Sequence, residues 1–205
     1  MIKNYIFDFG CVLANFSPEE FTRKFVKDEE NVSLVRDVVF SRDFWGPLDQ
    51  GTITDEEVKK GIKERLPDNL HEKACKIYNS WIELLTPISG MEELVRDLKK
   101  KGGKIYLLSN ISKGFAENYH KFPWINNLFS LFDGLVFSGT IGIVKPYPEI
   151  FNYILSKYNL KADESIFIDD NHGNIEGCEN VGIKGCLFDG DSEVLRKYLF
   201  SLDLS

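Results

Sequence analysis

Short, unbroken apolar runs, each ending near a polar residue, constrain the fold of this chain more than any other feature. The first run covers residues 3–7 and is followed by Asp8 and, two residues later, by Gly10. Such runs are typical of strands buried on both faces of a parallel sheet. Ligands of these sheets bind beyond the carboxyl ends of the strands. Asp8 therefore lies where chemistry usually occurs, although a lone aspartate at this point is more often a turn or capping residue.

Four more apolar runs follow later in the chain, and stretches with helical spacing separate them. The predicted strands cover residues 104–110, 134–138, 165–170 and 185–188; the predicted helices cover 91–101, 113–121, 148–158, 173–181 and 192–200. Alternating strands and helices imply right-handed crossovers and a parallel sheet with helices on both faces. We therefore expect an α/β fold with a doubly wound parallel sheet.

Residues 15–86 differ from this pattern, because they contain helical signals and no convincing strand. Capping boxes begin at Ser17 and Thr54, further helices are predicted at 33–40 and 71–85, and Phe-Trp-Gly-Pro at 44–47 interrupts the second helix. We expect an inserted all-helical cap domain at 15–86, within an α/β core formed by residues 1–14 and 87–205.

Composition excludes several classes of partner. The formal charge of −7 argues against nucleic acid and anionic membranes as partners, since both require basic patches. No run of about 18 apolar residues predicts a membrane span, and the first residues do not resemble a signal peptide. The four cysteines form no C-x-x-C pair, so we expect free thiols and a cytoplasmic protein of unspecified oligomeric state.

Polar residues follow the predicted strands at their carboxyl ends. Asp8, Ser109 and the pair Asp169–Asp170 follow three of them, and Lys145 lies in the loop after a fourth. Loops at this edge converge on one crevice, where three carboxylates repel one another unless a cation lies between them. Hard oxygen ligands in incomplete number suit Mg²⁺, which binds alongside substrate phosphate. A hydroxyl and an ammonium beside it form a site for a phosphoryl group.

These motifs together resemble the haloacid dehalogenase superfamily of aspartate-nucleophile phosphohydrolases. They occur in that family's order along the whole chain: Asp8-Phe9-Gly10, Ser109-Asn110, Lys145-Pro146, and Asp169-Asp170 with Asn174. The helical insertion also lies where the family carries its cap. The resemblance implies a hydrolase that acts on a small-molecule phosphate ester with Mg²⁺ as cofactor.

The same resemblance implies a role for each matching residue. Asp8 is the expected nucleophile, forming an aspartyl-phosphate intermediate. Asp8, Asp170 and the Gly10 carbonyl are expected metal ligands, with Asp169 near the metal directly or through water. Ser109, the Asn110 backbone and Lys145 are expected to hold the phosphoryl oxygens. Structural alternatives remain open: Asp170 as a helix cap, Ser109 as a turn residue and Lys145 as a solvated lysine.

One departure from the family pattern concerns Gly10, which stands where the family usually has a second aspartate that protonates the leaving group. General acid–base catalysis typically contributes about 100- to 10,000-fold. Three outcomes are open: a substitute acid from the cap, a substrate whose leaving group needs little help, or a catalytically poor protein. The second favours a sugar phosphate with an anomeric phosphate, and the motifs also resemble a branch that includes an α-D-glucose-1-phosphate phosphatase.

Two other functions remain as alternatives. A haloacid dehalogenase uses the same aspartate on carbon without a metal, and a phospho-ligand-binding protein retains the aspartate only as a metal ligand. Among nearby residues, His172 is a candidate replacement acid or an ordinary capping residue. Phe44 and Trp45, with Arg42 and Asp43, either line the substrate pocket or belong to the core or hinge of the cap.

Overall fold

A five-stranded parallel sheet forms the centre of the computed structural model, which describes residues 1–202. Its order is β5-β4-β1-β6-β7, and every neighbouring pair is parallel. The seven strands found within the described residues are β1 Asn4–Phe7, β2 Ala14–Asn15, β3 Thr86–Pro87, β4 Lys104–Ser109, β5 Gly134–Phe137, β6 Ser165–Asp169 and β7 Lys184–Leu187. The predicted doubly wound parallel sheet is confirmed.

Both faces of the sheet are covered, which explains why its strands are apolar without alternation. Tyr5 and Phe7 of β1 belong to one buried cluster, whereas Ile6 between them belongs to a second cluster on the opposite face. This follows from the period of two in a strand. This second, smaller cluster also includes Ile150 and Phe151 of a crossover helix.

Among residues 1–202, twelve helices surround the sheet or lie in the segment between β2 and β3. They are α1 Pro18–Phe25, α2 Glu29–Val39, α3 Arg42–Gln50, α4 Asp55–Arg65, α5 Asp68–Leu84, α6 Met91–Lys100, α7 Lys113–Asn118, α8 Pro123–Phe129, α9 Ser138–Ile141, α10 Pro148–Tyr158, α11 His172–Glu179 and α12 Ser192–Ser201. Short 3₁₀ turns occupy Tyr119–Lys121 and Ala162–Glu164.

Two of the predicted helix starts in residues 15–86 agree with the observed caps. Ser17 accepts a hydrogen bond from the Glu20 amide at the start of α1, and Thr54 and Glu57 form a reciprocal capping box at the start of α4. The apolar side chains of α1–α5 join the same buried cluster as Tyr5 and Phe7 of the sheet. The helical segment is therefore packed on the core through a continuous apolar contact.

Strands β2 and β3 pair as a two-stranded antiparallel ribbon. They lie where the chain leaves the α/β core for the helical segment and where it returns. Nδ2 of Asn15 donates to the Thr86 hydroxyl at 3.1 Å and to the Pro87 carbonyl at 3.3 Å. The sequence contains no run long enough to indicate these strands, because each has only two residues. The ribbon thus holds the two connecting segments side by side.

The structure differs from the sequence-based prediction in four places. The second helix runs over 29–39 rather than 33–40, and residues 44–47 lie inside helix α3 instead of interrupting a helix. Residues 138–141 form the single turn α9 where the end of a strand and a loop are predicted, and the sequence analysis predicts no helix at α8. Burial of Phe44 and Leu48 explains α3, since tertiary packing overrides the weak helix propensity of Gly46 and Pro47.

The cysteine prediction is confirmed: Cys11, Cys75, Cys178 and Cys186 are all free. Within residues 1–202, no helix combines the length and apolarity that crossing a membrane requires.

Candidate active site

The candidate site lies at the carboxyl end of β1, the central strand. Asp8 follows β1 directly, and its amide donates to the Ile168 carbonyl of β6 at 2.9 Å. Ser109 ends β4 on one side of β1, and Asp169 ends β6 on the other. Since strand order changes direction at β1, this edge is a topological switch point, where open α/β sheets bind ligands.

A buried lysine joins two of the carboxylates. The Lys145 ammonium lies 2.8 Å from Oδ1 of Asp8 and donates to Oδ2 of Asp169 at 2.7 Å. Its side chain is 1% exposed, so the alternative of a solvated lysine is wrong. Burial opposes its charge, but the two carboxylates outweigh this effect and raise the pKa of Lys145 above its usual value. Lys145 therefore remains a cation in the site.

Asp169 has a full set of hydrogen bonds. Besides Lys145, its carboxylate accepts from the Asn171 amide at 2.8 Å and from Nδ2 of Asn174 at 3.0 Å to each oxygen. The side chain is fully buried. Asp169 thus holds both Lys145 and the first turn of α11 in place.

The Asn110 side chain fixes the backbone of Lys145. Its Nδ2 donates to the Lys145 carbonyl at 2.9 Å, and its Oδ1 accepts from the Lys145 amide at 2.8 Å. The adjacent Ser109 is buried and lines the crevice. Within residues 1–202, the Ser109 hydroxyl has no hydrogen bond that would identify it as an ordinary turn residue.

Three carboxylates at this edge fit a divalent cation. One oxygen each from Asp8, Asp169 and Asp170 lies within 4.8 Å of the other two. Oδ1 of Asp8 is buried and, although it lies near Lys145, accepts no hydrogen bond from the described part of the chain. The Lys145 ammonium offsets only part of the charge of the three carboxylates, and a hard cation would offset more of it.

Burial also changes the acidity of Asp8. Loss of solvent raises the pKa of its carboxyl to about 6, against the opposing charge of Lys145 and with a further increase from Asp169. The group is therefore mainly ionised at neutral pH, which is the form that a nucleophile or metal ligand requires.

A crevice of about 400 Å³ opens between the sheet edge and the helical segment. The core contributes most of the predicted site residues, namely Asp8, Gly10, Ser109, Asn110, Lys145 and Asp170. The helical segment and its approach contribute an aromatic wall, which consists of Phe16, Phe40, Trp45 and Trp81. The structure thus brings one polar end and one aromatic side together in one cavity.

Of the residues whose roles the sequence leaves open, some line the crevice and others do not. Trp45 lines the crevice and its indole N–H donates to the Val39 carbonyl at 2.8 Å, whereas Phe44 is buried in the helical segment beneath the Arg65 guanidinium. Arg42 also lines the crevice, but Asp43 is exposed and pairs with Arg65 at 2.9 Å. His172 is exposed and is not among the residues that line the crevice.

One charged residue of the crevice was not identified from sequence. Asp49, near the end of α3, lines the cavity together with Asp8 and Lys145. Burial and the negative charge of Asp8 raise the pKa of the Asp49 carboxyl to about 7. A signal did exist: Ser41 as a helix cap, Phe44 and Leu48 at helical spacing and Gly51 as a helix stop outline α3, with Asp49 in its last turn.

Comparison with known proteins agrees with this geometry. Residues 5–188 match the family model described as haloacid dehalogenase-like hydrolase. The chain is similar to a sesquiterpene phosphatase of Aspergillus oryzae, with 27% identity over 89% of this chain and 88% of the relative. It is also similar to a D-ribitol-5-phosphate phosphatase of Bacteroides thetaiotaomicron, with 24% identity over 90% of each chain.

A solved structure has the same fold. It is a family enzyme from Bacteroides thetaiotaomicron, crystallised in complex with magnesium and inorganic phosphate. The TM-score is 0.67 at 25% identity, and the match covers 93% of this chain and 96% of that one. The shared fold extends over both the sheet and the helical segment.

Proposed function

The chain belongs to the haloacid dehalogenase-like hydrolase family, and on that premise we propose that it is a Mg²⁺-dependent phosphatase acting on a small phosphate monoester. The observation that supports this most is the environment of Asp8. Its Oδ1 is buried, accepts no hydrogen bond from residues 1–202, and lies 2.8 Å from an ammonium and near two further carboxylates. That is an environment suited to a cation and a phosphoryl group.

Asp8 is the proposed nucleophile, which attacks phosphorus and forms an aspartyl-phosphate intermediate. Asp8, Asp170 and the Gly10 carbonyl would hold Mg²⁺, and the magnesium in the Bacteroides structure supports that choice of metal. The hydrogen bonds that Asp169 already makes favour contact with the metal through water for that residue. When bound, Mg²⁺ supplies positive charge that offsets the charge on the phosphoryl oxygens.

Ser109, the Asn110 backbone and Lys145 are the proposed phosphate-binding groups. The Asn110 side chain is committed to the Lys145 backbone, so only its main chain is free for the ligand. Lys145 counters the combined negative charge of Asp8 and the phosphate. Most of this arrangement exists without ligand, and such preorganised electrostatics are usually the largest contribution to phosphoryl transfer.

We further propose that residues 15–86 act as a cap domain that selects the substrate through contacts with its leaving group. A sugar phosphate is the first candidate, because Arg42, Asp49 and Asn171 provide polar contacts around the crevice. The aromatic wall favours a second candidate, an alkyl or prenyl phosphate, through burial of apolar surface. Turnover of hexose 1-phosphate, ribitol 5-phosphate and a prenyl monophosphate, compared by kcat/KM, distinguishes them.

A metal-free dehalogenase makes little use of the carboxylate pair next to Asp8, and for that reason we favour the phosphatase. The test compares wild type with Asp8→Asn on p-nitrophenyl phosphate, with chelator and with restored Mg²⁺. We expect activity that requires both Asp8 and Mg²⁺, with the exposed Asp163→Asn variant active as a control. Equal inactivity of wild type and Asp8→Asn across a broad panel of phosphate esters would contradict the proposal, as would chloride release from 2-chloropropionate that chelator leaves unchanged.

A further inference from the structure

Position 10 lacks the carboxylate that would protonate a leaving group, and nothing in the structure requires glycine there. Gly10 does not adopt a left-handed conformation, and a Cβ built on it would meet no atom within 4 Å. The space beside Asp8 is therefore open on this side. A proton donor for the leaving group must come from another element if one exists.

Asp49 is the one carboxylate that the helical segment contributes to the lining of the crevice. Within residues 1–202, its carboxylate forms no hydrogen bond or ion pair, although the residue is half-buried. The charged groups that act on it are Asp8, Lys145 and Arg42. Lys145 is held between Asp8 and Asp169, and an arginine does not release its proton in a protein, so Asp49 is the group here suited to proton exchange.

The backbone of Asp49 is fixed to the phosphate-binding side of the site. The Ser138 hydroxyl donates to the Asp49 carbonyl at 2.6 Å and accepts from the Ile111 amide at 2.9 Å, next to Asn110. Close packing supports the same contact: a Cβ on Gly51, whose φ is +74°, would lie 2.5 Å from the Gly139 carbonyl oxygen. The last turn of α3 thus has a defined position against the core.

We infer that the Asp49 carboxyl is the general acid–base of the reaction and replaces the carboxylate absent at Gly10. The inference rests on the proposed phosphatase function. As an Asp8 oxygen bonds to phosphorus and the bond to the leaving oxygen breaks, Asp49 gives that oxygen its proton and the alcohol departs neutral. In-line attack places the leaving oxygen on the side of phosphorus away from Asp8.

The second half of the reaction restores both groups. Water attacks the phosphorus of the aspartyl phosphate, and the Asp49 carboxylate accepts its proton. The bond between phosphorus and Asp8 breaks, which releases inorganic phosphate and the Asp8 carboxylate, and Asp49 is again protonated. A pKa raised by burial toward neutrality suits a group that alternates between these forms.

The test compares two phosphate esters that differ in their need for an acid. Ribitol 5-phosphate has a poor leaving group, whereas p-nitrophenyl phosphate has a good one. For Asp49→Asn, we expect kcat/KM to fall about 100- to 10,000-fold on the first ester and less than about tenfold on the second. Asp43→Asn, on the exposed side of the same helix, is the matched control and should change neither value more than about twofold.

A rescue variant separates chemistry from folding. In the Asp49→Asn background, Gly10→Asp should raise kcat/KM on ribitol 5-phosphate at least about tenfold above that of Asp49→Asn alone, because the space for a carboxylate is open. The thermal unfolding temperature of each variant shows whether folding is intact. The ratio of the wild-type rates on the two esters is a second measurement, and no substitution can disturb the fold in it.

Three results would overturn the role of Asp49. These are an unchanged Asp49→Asn enzyme, an equal loss on both esters, or a wild type active on p-nitrophenyl phosphate alone. In each of them, loss of activity in Asp8→Asn would leave the phosphatase proposal standing. Wild type and Asp8→Asn that are equally inactive on both esters would instead contradict the proposed function itself.

Discussion

The side chain of Asn110 forms two hydrogen bonds with the backbone of Lys145, one as donor at 2.9 Å and one as acceptor at 2.8 Å. The two residues are 35 positions apart and follow different strands of the sheet. This pair fixes the loop after β5 against the end of β4. It therefore determines where the Lys145 ammonium lies relative to Asp8.

Replacing Asn110 tests this positioning role. Two neutral hydrogen bonds contribute about 1 kcal/mol each, so Asn110→Ala should lower kcat/KM about 10- to 100-fold, with Mg²⁺ still bound. The exposed Asn126→Ala variant on α8 is the control. Unchanged kcat/KM in Asn110→Ala would show that Lys145 is held by its ion pairs alone.

Lys145→Met should abolish turnover and also destabilise the metal-free protein. Its removal leaves Asp8 and Asp169 as adjacent buried carboxylates without a cation, and breaking a buried pair in this way costs about 3–5 kcal/mol. Chemical denaturation in chelator measures the loss, and added Mg²⁺ should restore part of it.

The exposed Lys113→Met variant controls for the loss of one lysine charge, since its contact with Glu117 at 3.7 Å is worth less than about 0.5 kcal/mol. Equal stability of the Lys145 and Lys113 variants would contradict the proposed charge balance.

The sequence predicted the core side of the site, because each of those residues follows a strand. A parallel sheet brings the carboxyl ends of its strands to one edge, so Asp8, Ser109 and Asp169 converge whatever the details of packing. Capping boxes likewise predicted helices from local hydrogen bonds alone. These features depend on short-range rules that a sequence shows directly.

Asp49 and helix α3 were missed because residues inside α3 weaken the signal given by its two ends and because the placement of Asp49 depends on distant contacts. Gly46 and Pro47 weaken the local helix signal, and burial of Phe44 and Leu48 compensates only in the folded chain. The direction in which Asp49 faces depends on the contact of its carbonyl with Ser138, 89 residues away. No local pattern specifies such a contact.

Mg²⁺ and protons should compete for Asp8. Its pKa of about 6 exceeds the ordinary value of 3.8, so between these values the folded protein holds a proton that the unfolded chain has lost. The contribution of Asp8 to the stability of the metal-free protein therefore falls as the pH rises between these two pKa values. Mg²⁺ requires the ionised form, so its affinity should be about tenfold weaker near pH 5 than near pH 7.5.

Thermal unfolding with and without excess Mg²⁺ at the two pH values measures this competition. The increase in unfolding temperature should be larger at the higher pH, and Asp8→Asn should remove most of the difference. An increase of the same size at both pH values would contradict Asp8 as a metal ligand.

Asp133 should stabilise the fold far from the site. Its carboxylate accepts from the Ile105 amide at 2.8 Å and from Lys99 at 3.1 Å. Although burial acts against the charge, these contacts lower the pKa of Asp133 below its ordinary value. The contribution of Asp133 to folding stability is therefore fully present above the ordinary pKa and is lost as the pH falls through the lowered pKa.

Asp133→Ala leaves the buried Ile105 amide unpaired, which should reduce the free energy of unfolding by about 1–3 kcal/mol at neutral pH. Urea denaturation measures this loss, with the exposed Asp163→Ala variant expected to lie within about 0.5 kcal/mol of wild type. The difference between wild type and Asp133→Ala should shrink as the solution is acidified, because protonation removes the same charge from wild type. A difference that does not change with pH would show that Asp133 acts by packing rather than by its charge.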